Sequence, residues 1–585
     1  MTPATTDDHR WMTSGEGHPR RWAILGVLVV SLLVVVLDNT VLNIALPTIQ
    51  RDLEATPSEL LWAVDSYILV FASLLFTWGV LGDRFGRKRV LVVGLVVFAV
   101  ASAVCAFSVS SAMLIAFRAL MGVGGAAVLP VTLAIITVVF PPHERGKAIG
   151  AWAGAVGAAV ALGPVLGGLL LQNPQWSNWL TGNDWGSVFL INLPIVAIGL
   201  LGIWRVVPET RNPHPQRLDL TGLVMSAVGL FLFVYGIIHA ASTKDWLAPS
   251  VIGPMAAGVA FIVLFLVLEA RSDHKSFDVS LFRNRGYAVS LTAVSLAFFA
   301  LSGITFTLPF YLQILRGYDT LQAGLCFLPF AIGQILAAPR SAAMVVRFGY
   351  RPVMGGGLLI VGVSLIGLTN LALDSPLWLI LTTFFFFGFG MGNVIAPAST
   401  VMQNVLPLAR AGAGSAVQNT VRQVFGALGV AIIGTVLANQ YARNLAPALD
   451  ALPPQFPAGA KDVASESIVS TVGVLQQATE QGLPASVAGQ VQAGAYDAFL
   501  TASHLTSIVS AVIVFIAAAV VIFVLPHIDP PRKDAPMAPP ADAADALVKE
   551  HETTYADELL EELGSEDELG TENEPAPDKT TPAPS

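Results

Sequence analysis

The sequence predicts an all-α integral membrane protein of fourteen transmembrane helices, arranged as two six-helix halves with two further helices inserted between them. Three observations predict it. Of 585 residues, 54% are hydrophobic and only 12% charged, with a mean hydropathy of +0.68, whereas a soluble domain carries about 25% charged residues. The apolar residues fall into runs long enough to cross a hydrocarbon core of ~30 Å, which takes roughly 20 helical residues. A short motif also recurs, Arg84-Phe85-Gly86 returning as Arg347-Phe348-Gly349, 263 residues on.

In chain order the runs are 23–46, 60–81, 90–108, 112–139, 147–171 and 187–207 in an N-terminal half. Runs 218–240 and 250–270 form the insertion. Runs 286–312, 321–346, 352–373, 377–405, 412–438 and 499–525 form a C-terminal half. A β-barrel needs short alternating strands, and unbroken apolar runs of this length span as helices. The first run is too long for a signal-peptide core and no small-residue cleavage site follows it, so it reads as a spanning helix. Residues 1–22 are then a cytoplasmic N-terminal tail, 23–207 the first half, 208–285 the inserted helices with their linkers, and 286–526 the second half. Segment 439–498 is too polar to span and is expected to be a partly helical extracytoplasmic loop. Segment 527–585, rich in proline, alanine and acids, is expected to be a disordered cytoplasmic tail.

Orientation follows from where lysine and arginine lie in the loops. Arg84, Arg87, Lys88, Arg89, Arg145, Lys147, Arg205, Arg211, Arg217, Arg271, Lys275, Arg283, Arg285, Arg347, Arg351 and Arg410 fall on one face. Only Arg51, Lys244, Arg316, Arg443 and Lys461 fall on the other. The basic face is expected to be cytoplasmic, with both termini on it, in a cell membrane. The formal charge of −9 does not contradict this. From His527 onward there are 16 acids and four bases, so the tail carries −12 and the remaining chain +3, with its positive face toward anionic lipid. Cys105 and Cys326 each sit inside an apolar run, which excludes a disulfide framework and a thiolate metal site.

Ionisable residues inside spans are costly and are functional candidates by default. Asp38, Asp65 and Arg118 each lie ~8 to 9 Å below the outer boundary by helical rise. Two carboxylates sharing one arginine are expected to titrate as a coupled unit, or to form a satisfied structural network. Arg422 lies ~15 Å into its helix, either holding backbone of the second half or facing an anionic substrate group. Arg340 is placed to snorkel to the interface. Trp62, Tyr67, Phe310, Tyr311, Phe327 and Phe384 to Phe387 are aromatic, either packing residues or lining for flat or cationic lipophilic ligands. In the fifth run, Gly150, Gly154, Gly157, Gly163, Pro164, Gly167 and Gly168 permit close helix approach and a bend.

These residues resemble the major facilitator superfamily, and within it the fourteen-helix drug:proton antiporters. Gly79 to Arg89 is similar to the superfamily's gating motif, with Gly79, Asp83, Arg84, Gly86 and Arg87 on its positions. Leu37 to Pro47 resembles the first-helix signature of the fourteen-helix group. Arg118 with Gly122 and Gly124 resembles the fourth-helix motif linked to proton transfer, with Met121 in place of its usual glutamine. Gly150 through Gly168, including Gly163, Pro164, Gly167 and Gly168, resembles the antiporter motif of helix 5, with Ala159 at one glycine position. Phe189 to Pro194, Tyr311 to Gln313 and Gly412 to Gly434 are further similarities.

The resemblance implies a major facilitator fold and proton-coupled multidrug efflux by alternating access, driven by the proton gradient with no cofactor, no metal and no enzymatic step. Asp38, Asp65 and Arg118 are the expected coupling and substrate residues; Trp62, Tyr67, Tyr311, Gln334 and Arg422 are expected in the substrate cavity. Helices 9 to 13 contain no carboxylate, Asp319 and Asp374 falling in loops, so lipophilic neutral, monocationic or zwitterionic compounds fit better than dications. Small lipophilic substrates, protons and membrane lipids are the expected partners, and nucleic acid is not. Export of an endogenous lipid or a pathway-specific antibiotic is the alternative within transport. A non-transporting sensor or scaffold is the alternative outside it.

Overall fold

The computed structural model describes residues 17–55, 57–210, 220–243, 245–271, 279–406, 411–450, 452 and 457–529. Among them there is no strand, and fourteen helices are long and apolar enough to cross a membrane. These are α1 (Arg21–Leu53), α2 (Pro57–Phe85), α3 (Arg87–Ala106), α4 (Ser111–Val139), α5 (Pro142–Gln172), α6 (Ser187–Val206), α7 (Leu220–Thr243) and α8 (Pro249–Arg271). They continue as α9 (Arg285–Phe310), α10 (Leu321–Phe348), α11 (Tyr350–Gly367), α12 (Leu377–Val405), α13 (Ala411–Asp450) and α14 (Ala485–Val524). The acidic tail beyond 529, the N-terminal tail to 16, and Arg211, Arg217, Lys244, Lys275 and Arg410 lie outside the described residues.

Helix starts are set locally. The Ser110 hydroxyl accepts from the Met113 amide ahead of α4, and the Asn284 side chain accepts from the Tyr287 amide ahead of α9. Asp319 and Gln322 form a reciprocal capping box ahead of α10.

In the first half α1 packs on α5 and α6, and α4 on α2 and α3. In the second, α9 packs on α13 and α14, and α12 on α10 and α11. The halves meet through α2 on α13 and α5 on α10, and the inserted α7–α8 pair docks through α7 on α2 and α13. Large apolar side chains stay exposed at helical spacing on the peripheral helices, such as Val93, Val96 and Val100 on α3 and Ile508, Val512 and Ile516 on α14. Such stripes suit lipid, not water.

The recurring motif has matching backbone geometry. α2 and α10 end at Phe85 and Phe348, and the glycine that follows each has positive φ, +108° at Gly86 and +85° at Gly349. Arg84 and Arg347 each lie over the neighbouring phenyl ring, at 5.7 and 5.2 Å. A Cβ on Gly94 would meet the Gly124 carbonyl at 2.8 Å, and one on Gly357 the Gly390 carbonyl at 2.9 Å. Each half therefore repeats one close helix crossing.

Segment 439–498 differs from expectation. α13 continues to Asp450 and α14 already begins at Ala485, so much of this polar stretch extends spanning helices. Two short helices, Ala458–Glu466 and Ile468–Glu480, bridge the extensions. Burial explains the persistence: Tyr441, Leu445 and Leu449, spaced by four, pack with Ile468, Leu475, Val491 and Ala495. The Tyr441 and Thr471 hydroxyls meet at 2.6 Å. Polar surface outside and an apolar seam inside make this a small water-exposed helical cap.

Candidate functional site

Asp38 lies midway along α1 and Arg118 one turn before Gly122 on α4. Arg118 Nη1 donates to Asp38 Oδ2 at 2.5 Å, and both residues are buried, at 0% and 2% exposure. Arg118 Nε donates to the Ala63 carbonyl of α2 at 3.0 Å, and the guanidinium carbon stands 4.5 Å from the centre of the Tyr67 ring. Asp38 Oδ1 accepts from Asn192 Nδ2 of α6 at 3.0 Å, and that nitrogen also reaches the Ser102 hydroxyl of α3. One carboxylate and one guanidinium thus tie five helices of the first half. Removing a partner from such a pair strands a charge at low dielectric, which costs about 3 to 5 kcal/mol.

Close approach makes the site possible. A Cβ on Gly122 would lie 2.7 Å from the Tyr67 carbonyl, and one on Gly125 2.9 Å from the Tyr67 hydroxyl. Met121, standing where a glutamine is usual, turns its sulfur toward Arg118 Nη1 at 3.9 Å and Cys105 Sγ at 3.7 Å.

Asp65 does not join the pair, contrary to the expectation of two carboxylates on one arginine. Ala63 and Tyr67 turn toward Arg118, whereas Asp65 shares the opposite face of α2 with Trp62, Leu69 and Ala72, which pack toward α7. No ion pair or hydrogen bond reaches Asp65 among the described residues, and it is half-buried. Equal depth on neighbouring helices fixes height but not azimuth.

The expected cavity residues scatter. Trp62, 38% exposed, stacks on Tyr235 of α7, so it faces the insertion. Tyr67 is buried beneath Arg118. Tyr311 donates its hydroxyl to the Ala372 carbonyl at 2.7 Å. Gln334 is buried between halves, donating to the Ala153 carbonyl of α5 at 2.9 Å. Among the described residues Arg422 of α13 has no backbone or carboxylate partner: its guanidinium carbon stands 4.8 Å from the Phe298 ring centre of α9 and 6.0 Å from that of Trp152 of α5.

At the end of the bundle carrying the basic loops, Arg87 pairs with Asp83 through Nη2 at 2.7 Å, both side chains buried. Glu209, unforeseen in the sequence reading, accepts from the Lys88 amide at 3.1 Å and faces Arg89 at 3.5 Å. It is the one acid between Arg205 and Arg217, a signal that was available. Here the halves close on each other. Arg145 Nη1 donates to Asn404 Oδ1 at 3.2 Å, and Thr137 to Gln403 Oε1 at 3.1 Å. A Cβ on Gly150 would lie 2.5 Å from the Ala338 carbonyl, and one on Gly163 would overlap the Thr40 hydroxyl. The helix 5 glycines are therefore contact surfaces, Gly150 to the other half and Gly163 to α1; the Pro164 side chain lies outside the described residues.

The Major Facilitator Superfamily profile matches residues 28–430. The chain is 31% identical over 510 residues to the tetracenomycin C resistance and export protein of Streptomyces glaucescens, covering 86% of this chain and 91% of that protein. It is 33% identical over 503 residues to the multidrug efflux pump LfrA of Mycolicibacterium smegmatis, covering 86% and 96% respectively. Among solved structures, the proton:xylose symporter XylE superposes with a TM-score of 0.56 at 14% identity, covering 87% of this chain and 96% of that one.

Proposed function

The chain belongs to the Major Facilitator Superfamily, and we propose that it exports lipophilic small molecules, neutral or monocationic, across the cell membrane in exchange for protons. The similarity to an antibiotic export protein and to a multidrug efflux pump supports efflux. The buried Asp38–Arg118 pair carries the proposal for coupling. While ionised, Asp38 holds α1 to α4 through Arg118 and to α6 through Asn192. A proton on Asp38 removes the negative charge and with it the ion-pair attraction, leaving Arg118 at most a hydrogen bond to an uncharged carboxyl group. Arg118 retains the Ala63 carbonyl and the Tyr67 face, so proton uptake loosens α1 selectively.

The basic end is the cytoplasmic one in this reading, with both termini on that side. Contacts between the halves at this end, through Arg145 and Gly150, form the cytoplasmic gate in this reading, with the Asp83–Arg87 pair at the same end. A second reading, export of one endogenous lipid or antibiotic, uses the same machinery. Substrate-induced proton release from the purified protein tests exchange. Release on adding a planar lipophilic cation is expected, and its absence across a panel of neutral and cationic dyes rejects coupling.

A further inference from the structure

The most deeply buried arginines of the bundle differ in their partners. Arg118 is matched by Asp38, and Arg87 by Asp83. Arg422 is 4% exposed, belongs to no ion pair among the described residues, and has its Nε buried without a hydrogen-bond partner. The apolar stretches of α9 to α13 supply no acid, Asp450 falling at the far end of the polar extension of α13. The contacts it does make are ring faces, Phe298 from its own half and Trp152 from the other. Stacking satisfies the flat faces of a guanidinium and leaves its in-plane N–H donors unused. One helical turn away, at the i−3 position, Asn419 Oδ1 is also buried without a partner. A donor-rich cation and a lone acceptor thus stand together at the junction of the halves, between aromatic surfaces.

We propose that Arg422, with Trp152 and Phe298, binds the anionic group, a phenolate or carboxylate, of a planar aromatic substrate. The in-plane edge of the guanidinium receives the anion, the rings pack on the aromatic body, and Asn419 accepts from a neighbouring substrate hydroxyl. This deepens the exporter reading and rests on it for the word substrate: the range extends to weak acids and zwitterions. Trp152 and Arg422 belong to opposite halves, so the ligand would sit where their relative motion is felt.

Two planar tricyclic dyes of opposite charge test this, resorufin as its phenolate and pyronin Y as a cation, with binding to the purified full-length protein read by fluorescence anisotropy. Wild type should bind resorufin, and Arg422→Gln should weaken that binding about tenfold, the loss expected for one charge-assisted hydrogen bond. The same substitution should tighten pyronin Y, because it removes a positive charge. Arg422→Lys, which keeps charge but not the planar edge, should fall between for resorufin, and it serves if the glutamine variant does not fold. Failure of wild type to bind resorufin overturns the inference, as does a parallel fall for both dyes. Uptake of the dyes into everted vesicles separates the two readings. Pyronin Y uptake without resorufin binding leaves the exporter and removes the anion site. Arg422-dependent resorufin binding with no gradient-driven uptake of either dye leaves the site and removes the exporter.

Discussion

Arg118 donates to Asp38 at 2.5 Å while resting on the face of Tyr67, so that one cation joins α4 to α1 and α2 with no exposed surface. Asn192 completes the carboxylate's partners from α6. The carboxylate thus holds partners on α4 and α6 at once, and the proposed coupling rests on this geometry.

Asp38→Asn keeps the shape and an oxygen for Asn192 but cannot cycle a proton. Insertion and folding are expected to persist, and gradient-driven dye uptake into everted vesicles to fall to the background of empty membranes. Uptake at the wild-type rate removes Asp38 from the coupling step.

Stability separates Asp38 from Asp65. Arg118→Ala strands the Asp38 carboxylate and is expected to cost about 3 to 5 kcal/mol. Arg118→Lys loses the Ala63 bond and the stacking and should cost about 2 kcal/mol. Asp65→Asn breaks no partner among the described residues and should stay within about 0.5 kcal/mol. Thermal unfolding in detergent orders the three, and equal shifts for Arg118→Ala and Asp65→Asn would contradict the geometry.

Gly150→Val places a branched side chain where a Cβ already lies 2.5 Å from the Ala338 carbonyl. The basic end should then fail to close. An engineered Ala342→Cys opposite Gly146 should label several-fold faster in this background, with export reduced. The native thiols, Cys105 and Cys326, are both buried and give little background.

The two motif glycines should respond unequally. Gly349 has φ +85° with open space around its Cβ direction, so Gly349→Ala meets backbone strain alone, about 1 to 3 kcal/mol. Gly86 has φ +108° and the Glu209 carboxylate 2.5 Å from that position, so Gly86→Ala adds a steric cost and displaces an acceptor of the Lys88 amide. A larger loss of thermal stability for Gly86→Ala is expected.

Composition and the spacing of the apolar runs determined that this protein is a bundle of spanning helices. Apolar runs of spanning length admit only helices in lipid, because every backbone group must be satisfied within its own segment. The doubled Arg-Phe-Gly motif announced the two halves, and the intramembrane charges announced which side chains needed partners. The folded chain decided the partners themselves. Asp38 and Asp65 look equivalent by depth, yet helix rotation sends one to Arg118 and the other to the face beside α7. Gln334 and Arg422 look alike as polar residues in apolar spans. Contact with α5 gives Gln334 a carbonyl, and gives Arg422 only the Trp152 ring. Depth is a property of position along one helix and can be counted. Azimuth and neighbour depend on how fourteen helices pack, and only the tertiary structure carries them.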